Sequence, residues 1–170
     1  MDVFEAIRTV LAVRSFQDKP VPDDLVERIV EAGRLTGSGM NQQPWHFIVV
    51  QDKATLRKLG ELAKTGPYVA QAPLAIVVLV EQSRLAVPDG SRAIQSMVLA
   101  AWAEGVGSNW VGFMNLENIK PALGIPDNLD VLAILPFGYP AQPAGQGKKK
   151  RKPLSAVASL DRYGQPYTTK

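Results

Sequence analysis

The amino-acid sequence predicts a fold of the α+β class, in which helices and strands mix without regular alternation. Segments with apolar residues at helical spacing and short apolar runs follow one another, but the strand–helix–strand repeat of a parallel sheet is missing. The 170 residues show neither an internal repeat nor a second domain. We therefore expect one domain over residues 1–170, long enough to bury roughly 70% of its unfolded surface.

The first helix is predicted from about Asp2 to Ala12. Its apolar residues recur three or four positions apart, which is the spacing of one helix face; they are Val3, Phe4, Ile7, Val10 and Leu11. Residues 13–19 then form a polar connector that contains Arg14 and Ser15.

Two further helices have recognisable first turns. Pro22 and the acidic pair Asp23–Asp24 suit the start of a helix that runs to about Leu35, because proline fixes φ and acidic groups complement the helix dipole. Asp52 can cap a third helix, which ends at Gly66–Pro67. The apolar face of this third helix consists of Leu56, Leu59 and Leu62.

Four apolar runs predict strands. Residues 45–51 and 74–80 are too apolar for strands with one wet face, and they predict buried strands. Residues 108–113 predict a third strand. Residues 131–137 predict a fourth strand that is broken at Pro136, because proline has no N–H to donate to the sheet.

Residues 93–103, opened by Asp89 or Ser91, predict the most apolar helix of the chain. A helix that is hydrophobic almost all round must be buried on every side. In a chain of this size the middle of a dimer buries such a helix most easily, and a core helix within a single chain is the alternative. A short helix follows over residues 116–123.

Composition excludes several kinds of active site. The chain has no cysteine, which excludes disulfides, thiolate metal sites and cysteine nucleophiles. Its single histidine, His46, lies in the first predicted strand, where we expect a packed or partly buried side chain; one histidine argues against a zinc site or a Ser–His–Asp triad. The N-terminus is charged rather than a signal peptide, and no apolar run reaches membrane length, so a cytoplasmic protein is expected.

Basic residues cluster near the C-terminus. The net charge is only +3, yet residues 148–152 are five contiguous Lys and Arg. A solvated tail, a nucleic-acid contact and a site for a phosphate-sized anion are all open. The nucleic-acid interpretation is disfavoured because aromatic residues are not interleaved with the run. An anion site would need a further cation, which Arg14 could supply.

A polar loop over residues 36–43 precedes the first strand. It holds two glycines, two hydroxyls and an Asn that tolerates special backbone angles, and Pro44 should hold Gln43 in an extended conformation. Because the loop offers amides, hydroxyls and backbone N–H groups but no acid, base or metal ligand, it suits the binding of a polar, ring-bearing ligand. A plain connector is the alternative. Neither this loop nor residues 105–107 has the context of a phosphate-binding fingerprint.

Several short motifs occur along nearly the whole chain in a specific order. They are Arg14 with Phe16, then residues 18–21 (DKPV), 38–45 (SGMNQQPW), 105–110 (GVGSNW), 123–126 (LGIP) and 138–140 (GYP), and the basic run before Pro153–Leu154. Each motif alone is weak, but together they resemble the nitroreductase family of flavoproteins. The Ser-x-x-Asn-x-Gln-Pro-Trp element is the strongest part.

The resemblance implies a central, mostly antiparallel sheet flanked by helices, in an intertwined homodimer whose C-terminal arms, residues 141–170, are exchanged. It implies one FMN at each end of the subunit interface. NADH or NADPH would reduce FMN by hydride transfer to N5, and the flavin would then reduce a nitroaromatic, a quinone or a related small molecule. No catalytic side chain, metal, nucleic acid or membrane is implied. A flavin-binding or flavin-handling protein with little turnover is the alternative.

By the same resemblance, three regions would contact FMN. The connector and the basic run would hold the phosphate or the flavin edge, the 36–43 loop would contact the ring or the ribityl chain, and residues 109–112 would line the other side of the ring. Ser38 would reach the flavin of the neighbouring protomer. The full set is Arg14, Ser15, Ser38, Gly39, Asn41, Gln43, Asn109, Trp110, Val111, Gly112, Lys149 and Arg151.

The chain departs from the family pattern at its first motif. The usual Arg-Arg-Ser-x-Arg falls on residues 10–14, where only Arg14 remains, so two expected phosphate contacts are missing. Matching Arg14–Ser15 to Arg-Ser instead restores the hydroxyl but moves Phe16 out of register. In either case phosphate binding depends more on residues 148–152. The segment between Val80 and Asp89 is too short for a lid helix, so we expect an open pocket.

Overall fold

Four strands form one antiparallel sheet. The structure is a computed structural model that describes residues 1–112, 116–142 and 149–167. The strands are β1 (Trp45–Val50), β2 (Leu74–Glu81), β3 (Gly107–Ser108) and β4 (Leu129–Gly138). They lie in the order β1-β2-β4-β3, and each neighbouring pair is antiparallel. The α+β class and the antiparallel sheet are therefore confirmed.

Helices cover both faces of the sheet. The helices in the described residues are α1 (Val3–Thr9), α2 (Asp23–Arg34), α3 (Lys53–Leu62), α4 (Ala86–Ala103) and α5 (Ile119–Leu123). Asp52 caps α3 as predicted, because its carboxylate accepts the Thr55 N–H. Gly124 follows α5 with φ +64°, a left-handed conformation that ends the helix and favours glycine. Among the described helices, none is long and apolar enough to span a membrane.

Strand β2 is the centre of two apolar cores. Leu74, Ile76 and Val78 pack into a core that includes residues of α2 and α4, and the alternate residues of β2 pack into a second core with α3 and α5. Every residue of β2 from Leu74 to Val80 is buried. The prediction of a central strand buried on both faces is confirmed here.

Strand β1 differs from its prediction. Among the described strands it pairs only with β2, at the edge of the sheet, so the prediction of a fully buried strand is wrong. Phe47 packs against the α2–α4 core and Ile48 against the α3 core, but Val49 is 39% exposed. His46 is exposed, which corrects the expectation of a packed histidine. An edge strand has one neighbour instead of two, and apolar composition does not reveal this.

Helix α1 ends at Thr9, three residues earlier than predicted. Beyond it the chain turns extended, because the Val13 N–H donates to the Ser108 carbonyl at 2.8 Å and Ala12 forms a parallel bridge with Ser108. The indole N–H of Trp102 in α4 donates to the Thr9 hydroxyl at 2.9 Å. A tertiary contact therefore overrides the helical spacing of residues 10–12.

The break that was predicted in the fourth strand at Pro136 is found in the third strand instead. Strand β4 runs without interruption through Pro136, whereas β3 is only two residues long. Val111 then exchanges two hydrogen bonds with Ile134 in the same register as the Ser108–Phe137 pair, so residue 109 stands opposite Pro136. Because the N–H that proline lacks would point toward residue 109, the gap falls on residues 109 and 110. Phe113, the predicted end of this strand, lies outside the described residues.

Helix α4 begins at Ala86, before the predicted Asp89 or Ser91. It is not buried on every side within one chain, because Gln95 is exposed and residues 98–100 are half-buried. This open face borders the cavity described below. The chain passes from β2 to α4 through residues 82–85 without an intervening helix.

Gly107 allows the segment after α1 to approach the sheet, and its replacement should be costly. A Cβ at position 107 would lie 2.8 Å from the Cβ of Val13, which is buried and β-branched. Gly107→Ala is expected to destabilise the fold by about 1–3 kcal/mol in denaturant unfolding. Gly37→Ala is the control, because its Cβ would meet nothing within 4 Å. Equal stabilities of the two variants would contradict this packing argument.

Candidate functional site

A cavity of about 880 Å³ lies between α1, the segment that follows it, α4 and residues 108–110. Two residues of the C-terminal segment, Lys149 and Arg151, complete it. Its volume falls within the range of roughly 300–1,000 Å³ that is usual for small-molecule and cofactor sites. The structure thus gathers side chains from both ends of the sequence around one ligand-sized space.

Most of the cavity wall is apolar. Ile94 and Val98 come from α4, and Trp110 comes from the gap between β3 and Val111. Gln95 adds a polar group from α4. The remaining apolar or small lining residues come from α1 and the segment after it: Phe4, Ile7, Val10, Leu11 and Ala12. Such a wall suits a flat, mostly apolar ligand with few polar atoms.

The cavity lining includes three cationic side chains. Arg8, Lys149 and Arg151 all line it, and the Lys149 ammonium donates to the Ile7 carbonyl at 2.7 Å. Burial and the nearby Arg151 charge lower the pKa of Lys149. Among the described residues, the ion pair of this cluster is that of Arg8 with Glu5, at 3.7 Å. Like charges held together in this way favour an anionic group.

Arg14 and Ser15 line a neighbouring cavity of about 440 Å³ with residues 140–142. The two cavities share Leu11 and Ala12. The structure therefore places the predicted arginine beside the larger cavity but does not bring its side chain into the lining. Within the basic run, Lys149 and Arg151 face the larger cavity, whereas Lys150 and Lys152 are exposed; Lys148 lies outside the described residues.

The 36–43 loop lies outside this cavity. Hydrogen bonds within the loop and to α4 hold it in place. The Ser38 hydroxyl accepts the Gln43 N–H at 2.9 Å, and the buried Asp89 carboxylate of α4 accepts the Gly39 N–H at 2.9 Å. The Thr36 hydroxyl bonds to Ser96 of α4 at 2.8 Å. Ser38 and Gly39 are half-buried, and Asn41 is exposed. The loop is therefore fixed against α4.

The backbone of this loop is strained. Met40, Asn41 and Gln43 have φ values of 51°, 56° and 50°. The extended conformation predicted for Gln43 is wrong, because Ser38 captures its N–H while its carbonyl accepts the Trp45 N–H at 2.8 Å. A non-glycine residue in a sparsely populated conformation costs about 1–3 kcal/mol. Such strain persists only where the surroundings fix the backbone, which here means Ser38 and Asp89.

Residues 109–112, which the family resemblance predicts beside the flavin ring, lie in different environments. Asn109 and Trp110 line the larger cavity, and the Asn109 amide nitrogen donates to the Tyr68 hydroxyl. Val111 is 1% exposed and belongs to the core that contains α3. Gly112 is half-buried next to Trp110. The gap opposite Pro136 is thus the part of this segment that faces the cavity.

Sequence analysis missed four polar residues of the region. Arg8, Gln95 and Ser108 line the cavity, and Asp89 holds the strained loop. Arg8 could have been found, because it lies one helical turn after Phe4 and one before Leu11 on the predicted face. Asp89 was considered only as a helix start, although an acid at the beginning of a buried helix needs a partner.

The chain is similar to known proteins. The model of the nitroreductase family matches residues 8–89 and 69–139 of the chain. A candidate NADH dehydrogenase/NAD(P)H nitroreductase of Methanothermobacter thermautotrophicus is 37% identical in an alignment of 154 residues, which covers 85% of this chain and 81% of that protein. An FMN reductase (NAD(P)H) of Bacillus subtilis is 26% identical, over 95% of this chain and 74% of that protein.

A solved structure is also similar to this chain. The crystal structure of a candidate nitroreductase of Desulfovibrio desulfuricans in complex with FMN superposes with a TM-score of 0.85. The two chains are 30% identical, and the superposition covers 96% of this chain and 98% of the other. The likeness therefore extends over nearly the whole length of both proteins.

Removing the carboxylate of Asp89 should release the strained loop. In Asp89→Ala the Gly39 N–H loses a charged acceptor, and such a hydrogen bond contributes about 1.5–3 kcal/mol. Hydrogen exchange of peptides covering residues 36–44 should therefore become faster by about tenfold or more. Asp89→Asn keeps an acceptor and should change exchange less. Arg92→Gln removes only the ion-pair partner of Asp89, 3.3 Å away, and is the control. Unchanged exchange in Asp89→Ala would show that other contacts hold the loop.

Proposed function

Because this chain belongs to the nitroreductase family, we propose that it is an FMN-dependent oxidoreductase that uses NADH or NADPH to reduce small-molecule acceptors such as nitroaromatics or quinones. The observation that carries this proposal is the 880 Å³ cavity, whose lining combines three cationic side chains with an apolar wall. The activities of the relatives described above support the same pair of cofactors. The acceptor class comes from the family resemblance.

The residues of the cavity fit FMN. Lys149 and Arg151 offer cations to a phosphate group, and the wall formed by Ile94, Val98 and Trp110 suits a flat ring. Gln95 can hydrogen-bond to a polar edge of the ring. FMN, when bound, supplies the hydride chemistry of the ring atom N5.

The side chains themselves bind and orient. The described residues that line the cavity include no carboxylate and no histidine, so acid–base catalysis by this wall is not part of the proposal. With FMN bound, the apolar wall would exclude water from the ring, and the cationic side chains would hold the phosphate. The protein would thus contribute position and electrostatics rather than a reacting side chain.

We further propose that the chain works as a homodimer with exchanged C-terminal arms. Large apolar residues are exposed on α1 and in the C-terminal segment, among them Phe4 at 74% and Leu154 at 62%. Surfaces of this kind mark contacts with another chain. The strained loop lies outside its own chain's cavity, which fits a role for Ser38, Gly39, Asn41 and Gln43 at the flavin of the neighbouring protomer. A single domain over residues 1–170 and a cytoplasmic location stay sequence-based predictions.

A second candidate function rests on the first motif. Val10, Leu11 and Ala12 line the cavity where the family pattern has Arg, Arg and Ser, so FMN phosphate has fewer side-chain donors there. A protein that binds or hands over flavin with little turnover would tolerate this loss. The two candidates differ in whether bound flavin accepts a hydride rapidly.

Rapid mixing with NADH and NADPH separates these candidates. Protein purified with FMN should lose its oxidised-flavin absorbance quickly with at least one donor, and a nitroaromatic or quinone should then restore it. Free FMN at the same concentration is the control for uncatalysed reduction. Bound FMN that is reduced no faster than free FMN would contradict the enzyme proposal and favour flavin handling. Protein that binds no FMN at all would contradict both.

A further inference from the structure

We propose that Arg8 binds the FMN phosphate and takes over the role of the donors that residues 10–12 lack, so that Arg8 makes this chain select FMN over unphosphorylated flavin. The inference rests on the proposed function and deepens it. Three observations carry it: the chemistry of residues 10–12, the position of Arg8, and the two other cations that line the same cavity.

Residues 10–12 supply no side-chain donor to the cavity. Val10, Leu11 and Ala12 all line it, but their side chains are hydrocarbon. One backbone donor of this segment is also in use, because the Val10 N–H donates to the Ala6 carbonyl at 2.9 Å. A phosphate group at this end therefore needs donors from other residues.

Arg8 is placed to supply them. It lies in the last turn of α1 and lines the same cavity as Val10 and Ala12. Its side chain is 59% exposed, and its partner Glu5 is 3.7 Å away with 49% exposure. An exposed ion pair of this geometry is weak, so the guanidinium can exchange Glu5 for a stronger anion. The planar guanidinium fork also matches two phosphate oxygens at once.

Two further cations line the same cavity. The Lys149 ammonium is held on the carbonyl of Ile7, the residue before Arg8, and Arg151 lines the cavity with it. Burial, and to a smaller extent the Arg151 charge, lower the pKa of Lys149. Arg14, the other candidate cation, lines the neighbouring cavity instead. Arg8 is therefore the arginine of the N-terminal region that the structure associates with Lys149 and Arg151.

The test compares two flavins that differ in the phosphate. The full-length chain, freed of flavin and checked for its fold by circular dichroism, is titrated with FMN and with riboflavin while flavin fluorescence is followed. Wild type should bind FMN more tightly than riboflavin. Arg8→Gln should weaken FMN binding by about tenfold, since one charged hydrogen bond is lost, and should leave riboflavin binding within about twofold.

Arg34→Gln is a matched control. Arg34 also lies in the last turn of its helix, pairs with an acid three residues earlier, Glu31, and has a side chain that is 57% exposed. It does not line the cavity. Its replacement should leave the affinities for both flavins at wild-type values, whereas any general effect of removing a surface arginine would appear in both variants.

Three results would overturn the inference. FMN affinity that is unchanged in Arg8→Gln, while wild type binds FMN, would remove Arg8 from the phosphate site and leave the proposed function intact. Equal weakening of FMN and riboflavin would show that Arg8 acts through the fold and not through the phosphate. Wild-type protein that binds neither flavin would overturn the proposed function itself.

Discussion

The hydrogen-bonded seam between residues 12–17 and the end of the sheet determines where the candidate site lies. The Val13 N–H donates to Ser108 at 2.8 Å, the Gln17 N–H donates to Tyr139 at 2.8 Å, and the Ala141 N–H donates to Ser15 at 3.0 Å. This seam ends α1, fixes the start of residues 109–110 and directs the chain after β4 back toward α1. Because three distant parts of the sequence meet there, cationic side chains and an apolar wall can border one cavity. A change in the seam would therefore alter the cavity before it altered either core of the sheet.

A second constraint is that α4 holds both the 36–43 loop and part of the cavity wall. Asp89, which holds the Gly39 N–H, and Gln95, which lines the cavity, are six residues apart on one helix, or about 9 Å along its axis. One rigid helix thus positions both the cavity wall and the strained loop. The loop carries the strongest sequence motif of the chain, yet it does not line the cavity of its own chain. A site completed by a second copy of the chain gives both features a single explanation, and it would also cover the half-buried residues of α4.

Local sequence patterns were sufficient for the class of the fold, the central strand β2 and the cap of α3 at Asp52, because these depend on periodicity and on bonds within a few residues. The errors have different causes. The early end of α1 depends on a partner distant in sequence, and the exposure of β1 on a partner missing at a sheet edge. The left-handed Gln43 depends on the Ser38 hydroxyl, which is near in sequence but whose hydrogen bond local patterns did not reveal. The break predicted in the fourth strand at Pro136 is wrong, because β4 continues through this proline and the break falls on the strand beside it. In the site, the family pattern pointed to Lys149 and Arg151, while Arg8 was missed because the pattern begins at residue 10.

Native mass spectrometry of protein purified from a flavin-replete host tests the central claim most directly. The claim is that the cavity holds FMN and that two chains complete each other's sites. The expected spectrum is that of a dimer carrying two molecules with the mass of FMN. Both FMN molecules should be released when the dimer dissociates into single chains. A single chain without flavin, at concentrations where FMN is supplied in excess, would contradict it.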